Sequence, residues 1–377
     1  MVYLDNAATT KPTKNVLDSV VNYLTNEFGN PSSLHKLGLS SQKLIDKSRS
    51  IIAKSLKCES SNIYFTSGAT ESNNIALFGA AEMYGKRKKR IISTSIEHAS
   101  VNTVLKKLET MGYEIVKIHP NSNGIIDVND IIEKIDENTF LISMMAVNNE
   151  TGYLLPIKET IKIAKKINPN IIFHCDAVQA YMKMPFNVKE FAADIVSISA
   201  HKIHALKGTG AIYVKKGIRV SPSNLGGGQE NGLRAGTEAV QNIVSFGTAV
   251  EELENTIKTR YSYVYELKTY FLDKIKNIDY ISVNSKGDTS PYIINISVLN
   301  IKSEIMLHFL EEKNIYISTG SACSKGKKSE VLKAFGVEDN LIDTALRISF
   351  NSENTKNEMD TLLFGINEGY EKLIKLK

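Results

Sequence analysis

The sequence predicts an α/β protein whose larger domain is built on a mostly parallel sheet of seven strands. Between residues 60 and 215, short apolar runs alternate with stretches that, in several of the gaps, have amphipathic helical spacing. The runs are apolar at nearly every position, which is typical of strands covered on both faces. The predicted strands have the sequences IYFT, RIISTS, EIVKI, FLISMMAV, IIFHCD, DIVSISA and AIYVK.

A second pattern follows a long helical region that is predicted for residues 238–276. Short strands are predicted at YISVNS, IINISV, IYIST and ALRISF, with helices over 303–313, near 329–335 and at the C-terminus. This mixture predicts a smaller α+β domain. The expected boundaries are 16–258 for the large domain, and 1–15 together with 259–377 for the small domain.

The composition limits the classes of protein to which the chain can belong. Its 377 residues are enough for two domains, and 42% hydrophobic and 23% charged residues are ordinary for a globular protein. No apolar run reaches the roughly 18 residues of a membrane span, and MVYLDNAATT lacks the features of a secretion signal. The three cysteines are too widely spaced for a disulfide framework or a zinc ribbon. We therefore expect a cytoplasmic protein with free thiols and no membrane partner.

The net charge of +5 includes one dense basic cluster, KRKKR at residues 86–90. No aromatic residues are interleaved with these charges, which disfavours a nucleic-acid surface. The cluster directly precedes the apolar pair Ile91 and Ile92, so a solvated turn before a strand is the better interpretation. We expect no direct nucleic-acid partner.

Lys202 follows the apolar run DIVSISA and has His201 on its amino side. A buried lysine at a strand end costs free energy unless it is paired or neutral, and forming a Schiff base is one solution. A surface lysine at a strand end is the alternative. His201 and His204 stand three residues apart, but no carboxylate or cysteine lies at a matching short spacing, so we expect no metal site.

Asp176 ends the apolar run IIFHCD, where a carboxylate needs a cationic partner. The protonated pyridine nitrogen of pyridoxal phosphate (PLP) would serve, and an acid in that place keeps PLP an effective electron sink. A helix N-cap is an equally good interpretation of this residue alone.

The stretch IYFTSGATESNN combines a strand, a turn at Gly68 and the start of a helix. Free backbone N–H groups and the helix dipole make such a turn an anion site, to which Thr70 can add a hydroxyl group. No Gly-Lys-Ser/Thr follows, so the turn is not a P-loop. A plain capped helix is the alternative, and a nucleotide site is a weaker one.

Taken in order, these motifs describe a phosphate cradle, a pyridine partner and a Schiff-base lysine. The chain also resembles the cysteine desulfurases of the NifS/IscS type, in the class V aminotransferase family of fold-type I PLP enzymes, from residue 3 to residue 350. The segments that carry the resemblance are YLDNAATT, FGNPSSLHKLG, FTSGATESNN, IEHASV, VNNETG, HCDAVQ, SAHKIHALKGTGAIYV, GGGQENGLRAGTE, STGSACS and LRISF.

The resemblance implies a PLP cofactor and assigns residues to it. Lys202 would bind PLP covalently and Asp176 would pair with the pyridine nitrogen. Gln179 would contact the ring hydroxyl group, and His98 would stack on the ring. The other implied cofactor-binding residues are Ala69, Thr70, Asn149, Ser199 and His201, with Thr237 reaching in from the second subunit of a homodimer.

The resemblance also implies L-cysteine as the substrate, with its carboxylate held by Asn149 and Arg347. Cys323, in the loop-like stretch STGSACSKGKKS, aligns with the catalytic cysteine of the family. Lys202 would remove the α-proton, and the thiolate of Cys323 would attack the substrate sulfur. Alanine would leave, and a persulfide would remain on Cys323 for transfer to an acceptor protein. Iron–sulfur cluster assembly and the thiolation of tRNA or of a cofactor are both open destinations.

The remaining cysteines and lysines lead to two further hypotheses. Cys58 and Cys175 are expected to be structural, because Cys175 lies within an apolar strand and its side chain should point to the opposite side of the sheet from Asp176. Lys325, Lys327 and Lys328 are expected to lower the pKa of the Cys323 thiol and to attract an acidic acceptor.

Two alternatives to a desulfurase remain open from the sequence. Another class V PLP lyase, for example one that prefers selenocysteine, would share the fold. A non-catalytic sulfur carrier that keeps the fold is the second alternative, although the full set of predicted site residues speaks against it.

Overall fold

The computed structural model of the protein describes residues 1–319 and 328–374. The strands found there are β1 Val2–Tyr3, β2 Ile63–Thr66, β3 Arg90–Thr94, β4 Glu114–Ile118, β5 Thr139–Met145, β6 Ile172–Asp176, β7 Ile195–Ser199, β8 Gly210–Val214, β9 Ile281–Val283, β10 Ile293–Val298, β11 Ile315–Tyr316, β12 Ser318–Thr319 and β13 Ala345–Ser349. The α-helices are α1 Lys14–Asn26, α2 Lys36–Leu56, α3 Ala69–Tyr84, α4 Ala99–Thr110, α5 Val128–Ile132, α6 Ile157–Ile167, α7 Val188–Phe191, α8 Val240–Leu253, α9 Ile257–Ile275, α10 Ser303–Glu312, α11 Glu330–Ala334, α12 Asp339–Ile342 and α13 Lys356–Lys372.

The large sheet has seven strands in the order β2-β8-β7-β6-β5-β3-β4. Strand β8 runs antiparallel to both of its neighbours, and every other adjacent pair is parallel. The α/β prediction with a mostly parallel seven-stranded sheet is therefore confirmed, and each of the seven apolar runs forms one of its strands.

Both faces of this sheet are buried, which explains why its strands are apolar at nearly every position. Consecutive side chains alternate between two separate cores: Phe173 and Cys175 of β6 belong to one, and Ile172 to the other. The helices α2, α6 and α8 contribute to the first core, and α3 and α4 to the second. The result is a sheet between two helical layers.

The parallel arrangement places several polar strand ends at one edge of the sheet. Gly210, the first residue of β8, pairs with both Thr66 and Ser199, the last residues of β2 and β7. Asp176 ends the next strand, β6, and pairs with Ser197. Ligands in open α/β sheets bind at this carboxyl edge.

The second sheet has four antiparallel strands in the order β12-β13-β10-β9. Its core joins Val2 and Leu4 from the N-terminus to Phe271 of α9, Ile296 of β10 and Ile366 of α13. The N-terminal residues and the C-terminal region thus share one core, in support of the expected domain boundaries, which themselves stay a prediction.

Two predicted elements differ from the structure in detail. The run IYIST forms two strands, because β11 pairs with β1 whereas β12 pairs with β13. The helical region predicted over 238–276 is two helices, α8 and α9, separated by a 3₁₀ turn. The basic cluster at 86–90 begins as a turn, and β3 starts at its last residue, as expected. No helix in the described part of the chain is long and apolar enough to cross a membrane.

Gly210→Ala is expected to lower the free energy of unfolding by about 1–3 kcal/mol. A Cβ atom at this position would lie 2.7 Å from the carbonyl oxygen of Ile198 and 2.8 Å from backbone atoms of Gly68. Both neighbours are backbone, so the start of β8 and the turn before α3 would have to separate. Equilibrium urea unfolding measures the change.

Gly228→Ala is the matched control, because its Cβ would meet open space and its φ of −83° suits alanine. We expect a change within about 0.5 kcal/mol there. Equal unfolding midpoints for the two variants would contradict the close approach of β8 to the Gly68 turn.

Candidate active site

A cavity of about 550 Å³ lies at the carboxyl edge of the large sheet. This volume is in the range of cofactor pockets. Of the predicted site residues, those that line the cavity are Ala69, Thr70, His98, Asn149, Asp176, Gln179, Ser199, His201, Lys202 and Arg347. Thr237 is exposed and does not line the cavity of its own chain. Cys323 lies outside the described residues.

Lys202 ends a short 3₁₀ turn that follows β7 directly. Its Nζ donates hydrogen bonds to the carbonyl oxygens of Ala7 and Ala8, each at 2.6 Å. The amine is therefore held at the cavity wall by a segment that lies 194 and 195 residues away in the chain.

Asp176 is buried at the end of β6, with an exposed fraction of 5%. Its Oδ1 accepts from the backbone N–H of Val178 at 3.1 Å, and its Oδ2 accepts from Asn73 Nδ2 at 2.9 Å. Asn73 also donates to Ser100 Oγ at 2.8 Å. These donors fix the carboxylate so that a cation in the cavity can pair with it. The sequence did not single out Asn73 as a functional residue, although it lies within the quoted segment FTSGATESNN.

His98 caps the N-terminus of α4, where its Nδ1 accepts from the backbone N–H of Ser100 at 3.2 Å. In the neutral ring the proton is therefore on Nε2. Burial lowers the pKa of His98, as do the positive charges of Lys202 and Arg347, whereas Asp176 raises it. The imidazole is therefore neutral at neutral pH and lines the cavity without a charge.

The N-terminus of α3 forms one end of the cavity. Gly68 occupies the cap position and supplies no side chain to the first-turn N–H groups, so these groups can bind an anion. Ser199 and His201 line the same cavity. Burial and the nearby Lys202 and Lys207 lower the pKa of His201 to about 4, so it would act there as a neutral donor.

Arg347 lies in the middle of β13 with an exposed fraction of 3%. Its Nη2 donates to Asp5 Oδ1 at 2.9 Å, and its Nη1 donates to the carbonyl oxygen of Asn149 at 3.1 Å. Its Nε is buried and has no partner among the described residues. A buried guanidinium with an unused donor at a cavity wall is suited to a carboxylate ligand. Asp5 was not predicted as part of the site.

Together these groups fit PLP. The uncapped helix start suits its phosphate, the hydrogen-bonded carboxylate of Asp176 suits its pyridine nitrogen, and the amine of Lys202 suits its aldehyde. Arg347 lines the same cavity, and its guanidinium suits the carboxylate of an amino acid.

The chain that follows residue 327 is tied to this site. Ser329 Oγ donates to Glu150 Oε2 at 2.5 Å, and Glu150 directly follows Asn149. Burial raises the pKa of Glu150 to about 7, although Ser329 and Arg347 act in the opposite direction. Lys328 pairs with Asp343 at 3.2 Å and with Asp339 at 3.6 Å. The hypothesis that Lys328 serves Cys323 is weakened by these ion pairs, while Lys325 and Lys327 lie outside the described residues.

Cys58 and Cys175 have the surroundings expected of structural cysteines. Cys175 is fully buried in the core on the Phe173 side of the sheet, and burial raises its pKa well above the ordinary value. Burial also raises the pKa of Cys58 to about 12. Both groups are thiols at neutral pH, so neither is a ready nucleophile.

Glu97 is a buried acid beside His98 that the sequence analysis did not identify. Its Oε1 accepts from Thr94 Oγ1 at 2.6 Å and from the backbone N–H of Met145 at 3.0 Å. Its Oε2 has no partner among the described residues. Burial raises the pKa of Glu97 to about 8, so the group is mostly protonated at neutral pH.

In the wild type, ionisation of the buried Glu97 is expected to lower the free energy of unfolding as the pH rises, and Glu97→Gln should abolish this effect. The folded-state pKa of about 8 exceeds the ordinary value of 4.5, so the native state binds an extra proton between these values. The wild type should lose up to about 1.4 kcal/mol per pH unit from this group as the pH rises across that interval. Glutamine cannot ionise, so the variant lacks this loss. Urea unfolding at pH 6 and at pH 9 measures the difference.

Glu133→Gln, at an exposed helix end, is the control and should follow the wild type at both pH values. A Glu97→Gln effect of the same size at pH 6 and pH 9 would contradict a protonated Glu97.

Comparison with known proteins agrees with this geometry. A family model described as aminotransferase class-V matches residues 2–362. The cysteine desulfurase IscS of Buchnera aphidicola subsp. Baizongia pistaciae is 38% identical, over 100% of this chain and 94% of that protein.

A solved structure titled NifS-like protein is similar with a TM-score of 0.93 and 35% identity, over 99% of this chain and 100% of that chain. Another, titled SspA in complex with cysteine, has a TM-score of 0.83 and 33% identity, over 94% of this chain and 100% of that chain. The chain therefore belongs to the class V aminotransferase family of PLP-dependent enzymes, and within it to the cysteine desulfurases of the NifS/IscS type.

Proposed function

We propose that this protein removes sulfur from L-cysteine, giving L-alanine and a persulfide on Cys323. The observation that carries the proposal is the single cavity lined by Lys202, Asp176 and Arg347, an amine, a carboxylate and a guanidinium. Cys323 belongs to the segment that follows β12, and β12 pairs with β13 at Arg347 itself.

The cofactor assignments rest on the cavity and on the family. Lys202 would bind PLP covalently, Asp176 would pair with its pyridine nitrogen, Gln179 would contact its ring hydroxyl group and His98 would stack on its ring. Bound there, PLP supplies an electron sink for the carbanion at the substrate α-carbon. The phosphate end would be held by Ala69, Thr70, Ser199 and His201, and by Thr237 of a second subunit.

The residues of the chain bind the substrate and move its protons. Arg347 and Asn149 would hold the substrate carboxylate, because the guanidinium keeps a donor free after binding Asp5. The amine of Lys202 would take the α-proton. The position of this amine is set by the carbonyl groups of Ala7 and Ala8, which point it into the cavity region.

The sulfur step would be carried out by the thiolate of Cys323. It attacks the substrate sulfur, so that a sulfur–sulfur bond forms and the carbon–sulfur bond breaks. The bonding electron pair stays on the carbon side, which takes up protons and leaves as alanine. The persulfide on Cys323 then passes its sulfur to an acceptor protein, either an iron–sulfur scaffold or an enzyme of tRNA or cofactor thiolation. We place this chemistry in the cytoplasm, where the widely spaced cysteines would remain reduced.

A homodimer is part of the proposal. Helix α1 exposes Leu17, Val21 and Leu24, with exposed fractions of 46%, 58% and 53%, at spacings that place them on one helix face. Phe28 and Leu34, which follow the helix in the chain, are also exposed, with exposed fractions of 63% and 102%. An exposed apolar helix face of this kind is typical of a protein interface.

Single-turnover mixing of the PLP-loaded protein with L-cysteine tests the chemistry. We expect one sulfur added to the peptide that contains Cys323, with an equal amount of alanine, measured by intact and peptide mass analysis. Cys323→Ser should lose the sulfur adduct and reduce alanine formation at least tenfold, because no thiolate then attacks the sulfur. Cys58→Ser, with its half-buried thiol, is the control and should react like the wild type.

Alanine without a sulfur adduct would contradict the persulfide step and favour a lyase that releases sulfide directly. Neither product from protein that visibly binds PLP would contradict L-cysteine as the substrate.

Val21→Glu is expected to weaken the proposed dimer, because burying an unpaired carboxylate in an apolar interface costs several kcal/mol. Sedimentation velocity should show a dimer for the wild type and more monomer for the variant. Met111→Glu, at an exposed apolar residue that follows α4, is the control and should stay dimeric. A monomeric wild type would overturn the dimer while leaving the cavity chemistry intact.

A further inference from the structure

Lys183 is a buried amine that the proposed mechanism does not use. It lies in the turn region after β6 with an exposed fraction of 6%, and borders a small cavity that Lys202 also borders. Its Nζ donates to Gln179 Oε1 at 2.7 Å. Burial lowers the pKa of Lys183 to about 7, and the positive charges of Lys202 and Arg347 add to this effect.

A second buried lysine shows what a purely structural amine looks like in this fold. Lys268 has an exposed fraction of 7%, and its Nζ donates to Thr289 Oγ1 and to the carbonyl oxygens of Ser290 and Ile293, at 2.8, 2.9 and 3.0 Å. Three oxygen acceptors match the three protons of an ammonium group. Lys183 instead directs its amine at one side-chain amide of the candidate active site.

The neighbours of Gln179 determine which way its amide points. The protonated amine of Lys183 can only donate, so the amide must present its oxygen there. A carbonyl oxygen can only accept, and Gln179 Nε2 donates to the oxygen of Ala7 at 3.0 Å. The same oxygen accepts from Lys202 Nζ at 2.6 Å. A continuous set of hydrogen bonds therefore runs from Lys183 through Gln179 and Ala7 to Lys202.

We propose that Lys183 is a positioning residue, whose amine fixes the Gln179 amide with Nε2 directed toward Ala7, Lys202 and the ring hydroxyl group of the cofactor. This inference rests on the proposed function. With Nε2 on the cavity side, Gln179 is a donor to the ring oxygen. With the amide reversed, its oxygen would face both the Ala7 carbonyl and the ring oxygen, and acceptor would meet acceptor.

A neutral Lys183 amine can still donate to Gln179 Oε1, and the carbonyl oxygen of Ala7, which only accepts, keeps the amide in the same orientation in that state. When Lys183 is protonated, its positive charge would stabilise a negative charge on the ring oxygen of PLP. The same charge would disfavour a proton on the nitrogen that joins Lys202 to PLP, and so would lower the pKa of that nitrogen. The titratable and charged groups that the described residues place around Lys183 are Lys202, Arg347, His201, His204, Arg260 and Tyr292.

The test is a pH titration of the visible absorption of bound PLP, which follows the protonation of the nitrogen that joins PLP to Lys202. Lys183→Met removes both the donor and the charge, so we expect the midpoint to rise by about one pH unit. The kcat for L-cysteine should fall about tenfold with KM changed less than about twofold, because the carboxylate site at Arg347 is untouched. Lys183→Arg keeps both the donor and the charge and should restore most of the wild-type midpoint.

Lys268→Met is the matched control, because it removes an equally buried amine far from Gln179 in the hydrogen-bond network. We expect lower thermal stability and an unchanged midpoint. If Lys183→Met does not fold, Lys183→Gln takes its place. Glutamine keeps a neutral donor and loses only the charge, so we expect the midpoint to rise by less than one pH unit.

The proposal would be overturned if the folded variant without the Lys183 amine titrated with the same midpoint as the wild type. This holds whatever the stability or the kcat of that variant. An equal shift in Lys268→Met would also overturn it. Failure of the proposed function has a different signature, because the wild type itself would then show no visible PLP absorption or form no alanine.

Discussion

The hydrogen bonds from Lys202 Nζ to the carbonyl groups of Ala7 and Ala8 are the contacts on which the site depends most. They hold the reactive amine from the large sheet against the N-terminal segment, whose first strand pairs with β11. The same segment places Asp5 against Arg347, so one short stretch of chain positions both the amine and the guanidinium. Residues that are 195 and 342 positions apart in sequence are brought together in this way, and neither sheet alone would complete the cavity.

The cavity wall carries more positive than negative charge near the proposed ligands. Lys202, Lys207 and Arg347 line it, and each lowers the pKa of His98 or of His201. Asp5 pairs with Arg347, and Asp176 is held by Asn73 and by a backbone N–H group. This surplus of cations suits ligands with a phosphate and a carboxylate. The neutral state of His98 follows first from its burial and then from the positive charges of Lys202 and Arg347, which together outweigh the attraction of Asp176.

The sequence predicted the parts of the site that depend on local pattern. Asp176 and Lys202 were identified because each follows a continuous apolar run, and in a parallel sheet all such runs end at one edge. Asp5 and Lys183 were not identified, because their roles depend on contacts that no periodicity encodes. The division of IYIST into two strands was missed for the same reason. Its two halves pair with strands from opposite ends of the chain, and no local pattern encodes that pairing. The assignments to PLP and L-cysteine came from the family resemblance and not from pattern alone.

The segment that carries Cys323 is attached at both of its ends, which we call its anchors, to residues near the proposed substrate site. Before this segment, β12 is hydrogen-bonded to β13 at Arg347, the proposed carboxylate ligand. After it, Ser329 is bonded to Glu150, the residue next to Asn149, and Lys328 is paired with carboxylates of α12 and its end. Both ends are thus fixed to residues that adjoin the substrate site. If Cys323 carries sulfur as proposed, a change in either anchor is expected to alter the first transfer before it alters cofactor binding, because both anchors adjoin the proposed substrate-binding residues and not the proposed phosphate-binding residues.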